Sequence, residues 1–262
     1  MIHLKGRGAV YGEVWYKEEP SHDAPIDIVQ YRQREAPISG ARSIAYLSMV
    51  TDLSLDEDAI IDQFRKECRY KIKRAEGKDR LDTEFILDPR KRLDEFRRFF
   101  DVFASEKSID LSDDQWLAAA CEAGQLVLTS ASKDGEPLVW HAYVLIGKFV
   151  SIQYSGSYFR DKDNEYRALI GRANRWLHWR DILRFKEMGV ARYDWGGLFE
   201  DTCTPERAGI NYFKSDFRGQ QVRVYDCTVP VTLRGRLYLP LRDAWRLRKR
   251  TRRSMLVRPG FL

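Results

Sequence analysis

Cysteine is scarce and scattered in this chain: Cys68, Cys121, Cys203 and Cys227 lie far apart and form no C-x-x-C pair. That spacing argues against a disulfide framework and a zinc site, and it predicts reduced thiols, in a core or at the surface, of a protein in the cytoplasm. No apolar run reaches the ~18 residues of a membrane-crossing helix, and the opening MIHLKGRGAV has no secretory hydrophobic core. No metal is expected from the sequence.

What is present is enough to fold without staples. The chain has 262 residues, of which 44% are hydrophobic, sufficient for one large domain or two small ones. Its formal charge of +6 is unevenly placed, because residues 234–262 hold ten Lys/Arg and the single acid Asp243, a local charge of +9. The rest of the chain therefore sums to −3. A tail in which Trp245 and several leucines alternate with arginines suits nucleic-acid phosphates, an anionic membrane surface or a solvated helix on the parent domain.

Strand-like runs are expected around 9–17, 26–33 and 42–50, followed by a helix over 58–77 with Ser54 and Glu57 as its capping box. Ile61, Phe64, Cys68, Ile72 and Ala75 make one face of that helix apolar, and Arg65, Arg69 and Lys73 make a basic row with Lys71 and Arg74 beside it. Such a row is either a solvated face or a contact for phosphate or diphosphate. From Thr83 the order becomes strand, two helices, three strands in hairpin succession, a long helix over 164–188, a strand over 190–195, a helix over 205–217 and two strands near 221–229 and 231–239. This predicts an α+β fold with a mixed, mostly antiparallel sheet flanked by helices and one parallel crossover across the long helix. Ligands of such sheets collect at the carboxyl ends of the parallel strands.

That order, with its motifs, resembles the GCN5-related N-acetyltransferase (GNAT) superfamily and within it the FemAB-like branch. ECRYKIKRAE (Glu67–Glu76) is similar to the R-x-x-I-R-K-A-x helix of that branch, and YSGSY (Tyr154–Tyr158) to its Y-x-G-x-S strand end. NRWLHWRDILRFKEMGVARYDWGG resembles its L-x-W-x-x-I core ending in Y-D-F-G-G, and GINYFKSDFRG its G-x-x-x-F-K-x-x-F-G-G signature, with Phe213, Lys214, Phe217 and Gly219 matching. The resemblance covers about 53–229. It implies a truncated GNAT-like half over 1–80, a complete catalytic domain over 81–240 and a basic tail over 241–262. The implied activity is transfer of an aminoacyl group from aminoacyl-tRNA, or of an acyl group from coenzyme A, to an amine on a cell-envelope precursor or small metabolite. Donors of this kind are co-substrates, so no resident cofactor is expected.

The chemistry of aminolysis selects the same residues. Charge builds on the donor carbonyl oxygen, so a cation near it lowers the barrier, and Lys214, flanked by Tyr212 and Phe213, is the candidate. Proton removal from the amine falls to Asp194 or His141, with Asp163 and Glu165 weaker choices, unless proximity alone suffices. Arg69, Lys73 and Arg74 are candidates for an anionic acceptor such as a nucleotide-linked sugar. Tyr154, Tyr158, Arg160 and Trp195 are candidates for the acceptor pocket, and Arg180, placed by the helical wheel inside the apolar stripe, for a phosphate or carboxylate. The coenzyme A loop R/Q-x-x-G-x-G/A has only a defective counterpart in Arg167–Ala173, within the long helix, which favours the tRNA-type donor. Acyl-coenzyme A is the alternative, and a catalytically inactive nucleic-acid or membrane-surface module is the reading from another class.

Overall fold

The computed structural model describes residues 1–6, 8–16, 18–20, 25–107, 109–157, 163–202, 204–242 and 244, and every statement of absence below concerns these residues. Two compact units divide the chain, 45–224 and the combination of 1–44 with 225–262.

The larger unit holds a mixed sheet in the order β4-β9-β8-β7-β6-β5. Its strands are β4 (Arg42–Asp52), β5 (Asp82–Ile86), β6 (Leu126–Lys133), β7 (Glu136–Ile146), β8 (Phe149–Ser157) and β9 (Arg192–Leu198). All neighbours are antiparallel except β8 and β9, which run parallel across the long helix α5 (Asn164–Glu187). Its other helices are α1 (Glu57–Gln63), α2 (Lys66–Arg74), α3 (Leu93–Lys107), α4 (Asp114–Glu122) and α6 (Pro205–Ser215). α5 begins where the Asp163 carboxylate accepts the Tyr166 N–H at 2.7 Å, and Thr204 caps α6 ahead of Pro205. The core joins Ile60, Phe64, Cys68 and Ile72 of the first two helices to Trp176, Trp179, Ile182 and Phe185 of α5 and to Tyr143, Val150, Tyr193 and Trp195 of the sheet.

In the smaller unit β1 (Ile2–Lys5), β2 (Val10–Trp15), β3 (Ile28–Arg34) and the end of β10 (Gln220–Pro230) form the order β1-β2-β3-β10, with β2 and β3 parallel.

Three expectations change. The helix expected over 58–77 is broken at Phe64, whose backbone is extended and whose ring lies edge-on to Trp179 and Phe217, at 5.8 and 5.1 Å. Its cap is Asp56, which accepts the Ala59 N–H at 2.7 Å, while Ser54 donates to Asp52 instead. The strand expected over 231–239 is a helix over 233–242, started by the Thr232 hydroxyl, which accepts the Gly235 N–H at 3.1 Å. Cys68, Cys121 and Cys227 are free thiols, and no helix is long and apolar enough to cross a membrane.

Candidate active site

The parallel pairing of β8 with β9 stops at Ser151 and Asp194, although the two strands continue to Ser157 and Leu198. β8 also steps out of register against β7 here, with Ala142 opposite Tyr154 and Tyr143 opposite Ile152, so Gln153 is skipped. One strand end therefore leaves its neighbour at the carboxyl edge, where backbone groups become available to a ligand.

The turn of β9 is built for that place. Asp194 is wholly buried, and its Oδ1 accepts from the Ser48 hydroxyl at 2.6 Å and from the Gly196 N–H at 2.7 Å. Gly196 has φ +74°, a backbone conformation that a side chain would strain. A Cβ there would lie 3.6 Å from the Ile152 carbonyl oxygen and 3.7 Å from the Lys214 ammonium nitrogen. Lys214, in the last turn of α6, donates to the Gly197 carbonyl at 2.8 Å. Lys214 and the end of the Y-D-W-G-G strand thus meet at one point. An ammonium carries three donors, and this is the one hydrogen bond that Lys214 makes to the described residues.

Burial brings the Lys214 pKa down to about 8, against the opposing pull of the Asp194 charge. Asp194 moves the other way: burial raises its pKa, opposed by the Ser48 and Gly196 hydrogen bonds and by the charges of Arg192 and Lys214. Its Oδ2 has no hydrogen bond, and the nearest cation is Arg192 Nη2 at 3.6 Å.

Behind this turn lies a buried polar chain linking β6, β7, β9 and α5. Asp181 Oδ2 accepts from Thr129 Oγ1 at 2.9 Å and from the Tyr143 hydroxyl at 2.6 Å, and meets His141 Nδ1 at 2.9 Å. With the Tyr143 proton committed to Asp181, the contact of 2.9 Å between the Tyr143 and Tyr193 hydroxyls requires Tyr193 to donate. The Tyr193 oxygen must then accept from His178 Nδ1 at 2.8 Å. The carboxylate at one end thereby fixes the tautomer at the other, with the proton of His178 on Nδ1 and a lone pair on Nε2. Burial, the neighbouring His141 and the Arg175 and Lys214 charges hold the His178 pKa well below its usual value. Its ring lies between Trp195, Phe213 and Phe217, with centroids at 4.8, 5.6 and 5.4 Å.

Solved structures with the same fold were found, whereas no protein-family model and no curated protein matches the chain. FemX is similar over 73% of this chain and 63% of its own length, with TM-score 0.55 and 15% identity. L-PGS from Bacillus licheniformis is similar over 91% of this chain and 82% of its own, with TM-score 0.53 and 14% identity. The C-terminal DUF2156 domain of a protein from Agrobacterium fabrum, described as a lysylphosphatidylglycerol synthetase, matches over 83% and 72%, with TM-score 0.51 and 14% identity. The fold is FemAB-like. The chain spans less than two thirds of FemX.

On this FemAB-like frame the remaining candidates separate. His141 is wholly buried and both ring nitrogens are engaged, Nδ1 by Asp181 and Nε2 by Asn174 Oδ1 at 3.0 Å, which leaves no lone pair for a reacting amine. Trp195 is sealed too: it stacks on Phe217 at 4.1 Å and donates its indole N–H to Thr51 at 2.9 Å. Tyr154 lies among Phe96, Phe100 and Trp116, and its hydroxyl accepts the Asp113 N–H at 3.2 Å. Phe213 packs against the core beneath the Arg175 guanidinium. Tyr212 is exposed, with the Arg65 guanidinium 5.7 Å above its ring.

Arg69 is held by Asp62 through its carbonyl at 2.8 Å and its carboxylate at 3.2 Å, and Lys73 and Arg74 are exposed on the same helix. Arg180 is not inside the apolar stripe. It is 47% exposed and 3.9 Å from Glu76, because the arginines buried on α5 are Arg172 and Arg175. Those two form buried pairs with Asp79 and Asp216, at 2.6 and 2.7 Å. Tyr158 and Arg160 lie outside the described residues. The residues that sequence reasoning missed are His178, Asp181, Tyr143 and Tyr193. The one available signal was that His178 and Asp181 lie three residues apart, on one side of a tryptophan-bearing helix. No group of His, Cys, Asp and Glu is arranged to hold a metal ion.

Proposed function

We propose that the protein is an acyltransferase in which an amine attacks the carbonyl carbon of an activated acyl donor at the open ends of β8 and β9. The observation that carries this is the meeting of Lys214 with the Gly196–Gly197 turn: one ammonium N–H is tied to the Gly197 carbonyl, and the others are available to an oxyanion. With a pKa of about 8 the group is mainly cationic at neutral pH, and burial keeps its charge poorly screened. Asp194 acts on this group indirectly, by fixing the turn and supporting the ammonium charge. The proton that the amine loses goes to His178 Nε2, whose lone pair is set by the chain to Asp181, and from there to the departing oxygen or sulfur. His141 positions Asp181.

The favoured donor is aminoacyl-tRNA. Supporting it, the segment Arg167–Ala173 lies inside continuous α5, where the Gly171 carbonyl accepts from Arg175 at 2.8 Å and Arg172 is held by Asp79. A helical interior has no free N–H groups for a pyrophosphate. The neighbour described as a lysylphosphatidylglycerol synthetase is named for an aminoacylated product, which suits an aminoacyl donor. The favoured acceptor is an amine on a cell-envelope precursor or small metabolite.

The test is transfer of labelled amino acids from bulk charged tRNA, or of acetyl from acetyl-coenzyme A, into a panel of amines, with wild type and Lys214→Ala compared. Transfer from charged tRNA, reduced about 10²-fold or more in the variant, is expected. Transfer from acetyl-coenzyme A alone moves the donor to the thioester class. Full activity in a folded Lys214→Ala protein overturns the oxyanion role.

A further inference from the structure

The helix over 233–242 has one face committed to the smaller unit and another committed to nothing in it. Tyr238 and Leu239 pack on Ala9, Tyr11 and Ile28, with the Tyr238 ring edge-on to Tyr11 at 6.4 Å. Gly235 faces the Asp27 backbone so closely that a Cβ would come within 2.1 Å of the Asp27 carbonyl oxygen, which fixes the helix in rotation about its axis. Thr232 adds a hydrogen bond of 2.7 Å to the Asp27 carboxylate, and that carboxylate is further held by the Val10 N–H at 2.9 Å.

With the rotation fixed, Leu233, Leu237 and Leu241 fall on the opposite side, at i, i+4 and i+8, and are 73%, 62% and 70% exposed. Each step of four residues turns the helix by about 40°, so the three make one continuous stripe. Val231 at its head is 49% exposed, and Ala244 at its foot is exposed. By the same geometry of about 100° per residue, Arg234 borders the stripe on one side and Arg236 on the other. Both are exposed, Arg234 with its Nε on the Gly8 carbonyl at 2.9 Å and Arg236 with no side-chain hydrogen bond to the described residues. From residue 234 onward the sequence has ten cations and one acid.

A surface leucine is ordinary; three in register on one face of an anchored helix, rimmed by arginines, are not. Nucleic acid accounts for the arginines and leaves the leucines in water. A protein groove accounts for the leucines but gains little from a rim of one sign. An anionic lipid surface accounts for both, since the leucines enter the boundary between headgroups and acyl chains while guanidinium groups meet lipid phosphates. We infer that the Leu233–Leu237–Leu241 face is a docking surface for an anionic phospholipid membrane. The inference is independent of the catalytic reading, because none of these residues belongs to the active-site unit.

The full chain is tested by co-sedimentation with vesicles of phosphatidylcholine alone and of phosphatidylcholine mixed with phosphatidylglycerol. Binding to the mixed vesicles, weakened by salt and far lower on phosphatidylcholine, is expected. The variant Leu233→Ser/Leu237→Ser/Leu241→Ser should lose at least roughly tenfold in affinity, because each leucine removed forfeits apolar area buried in lipid. Arg236→Glu, on the exposed rim, should weaken binding by a smaller factor and flatten the salt dependence. Undiminished vesicle binding by the leucine variant overturns the inference, as does binding of tRNA with none of the vesicles. A dimer in solution that the leucine variant abolishes, with no vesicle binding by wild type, assigns the face to a second copy and overturns it equally.

Discussion

Replacing Lys214 by methionine should stabilise the protein while removing its activity, and the pH dependence of the gain is fixed by the direction of the lysine's pKa. In the folded state that pKa is about 8, against 10.5 for an unperturbed lysine. The unfolded chain therefore binds more protons between these values, so wild-type stability rises with pH across that window. Below about pH 8 the folded protein bears the whole desolvation penalty of the cation; above 10.5 both states are neutral and the penalty is gone. At 1.36 kcal/mol per pKa unit, the upper bound is about 3 kcal/mol. Lys214 is half-buried and keeps some contact with water, so about 2 kcal/mol is the expected gain of Lys214→Met at neutral pH. Methionine preserves the length and apolar contacts of the stem, and the Gly197 carbonyl that loses its donor is exposed to water. Urea unfolding of both proteins near neutral pH and above pH 10.5 measures the effect, as does a Tm shift of about 4–8 °C at neutral pH for a unit of this size. A variant that is less stable than wild type at neutral pH, or whose advantage does not shrink on the way to 10.5, refutes the desolvation argument.

The same group sets an alkaline limb on catalysis: the transfer rate should fall as pH rises through about 8, and Lys214→Arg, which stays charged, should lose that limb even if its rate is lower. Asp216→Ala leaves Arg175, 8% exposed, without the carboxylate that holds its Nε and Nη2. A loss of about 3–5 kcal/mol in urea unfolding is expected, with the apolar pair Arg175→Met/Asp216→Leu recovering most of it. Tyr193→Phe cuts the chain between His178 and Asp181. It should cost about 1–3 kcal/mol of stability, read by the same unfolding assay, because two buried polar atoms lose their partner. It should also lower kcat about 10²-fold with little change in KM, a split that a purely structural defect does not produce.

Most strands and helices of the larger unit were legible because apolar runs of element length are bounded by turn and cap signals. In β7 a continuous apolar run, buried on both faces, lies between the turns at 134–135 and 147, and in α4 an Asp cap precedes an apolar run. The segment 231–239 was not legible for a definite reason. L-R-G-R-L-Y-L alternates polar and apolar residues as an edge strand does, yet its leucines also fall four apart, and both templates fit. The decision belongs to Thr232, which caps the helix, and to Asp27, just ahead of β3 and about 200 residues away in sequence, which holds Thr232 and seats Gly235. α5 defeated the helical wheel for a different reason. Burial on nearly its whole circumference erases the single apolar stripe on which a wheel depends, so Arg180 was assigned to the interior and Arg175 was overlooked.

The site divides along the same line. The meeting of Lys214 with the Asp194–Gly197 turn was legible because local order places them: a strand that ends in D-W-G-G and a following helix that returns its last turn to that end must bring the lysine to the turn. The buried chain could not be found in this way, since Thr129, His141, Asp181, Tyr143, Tyr193 and His178 come from four elements, with up to 52 residues between hydrogen-bonded partners. Such a chain is a costly way to fill a core, because every member must be satisfied and an apolar set of the same volume would serve stability as well. Its justification is directional. Asp181 is the one member that can only accept, so every proton along the path points toward it, and the far end, His178 beside Phe213 and Lys214's helix, is left with its lone pair unused. A core selected for packing alone has no reason to carry that polarity, and the proposed transfer, in which a proton leaves an amine next to a cation, has a direct one.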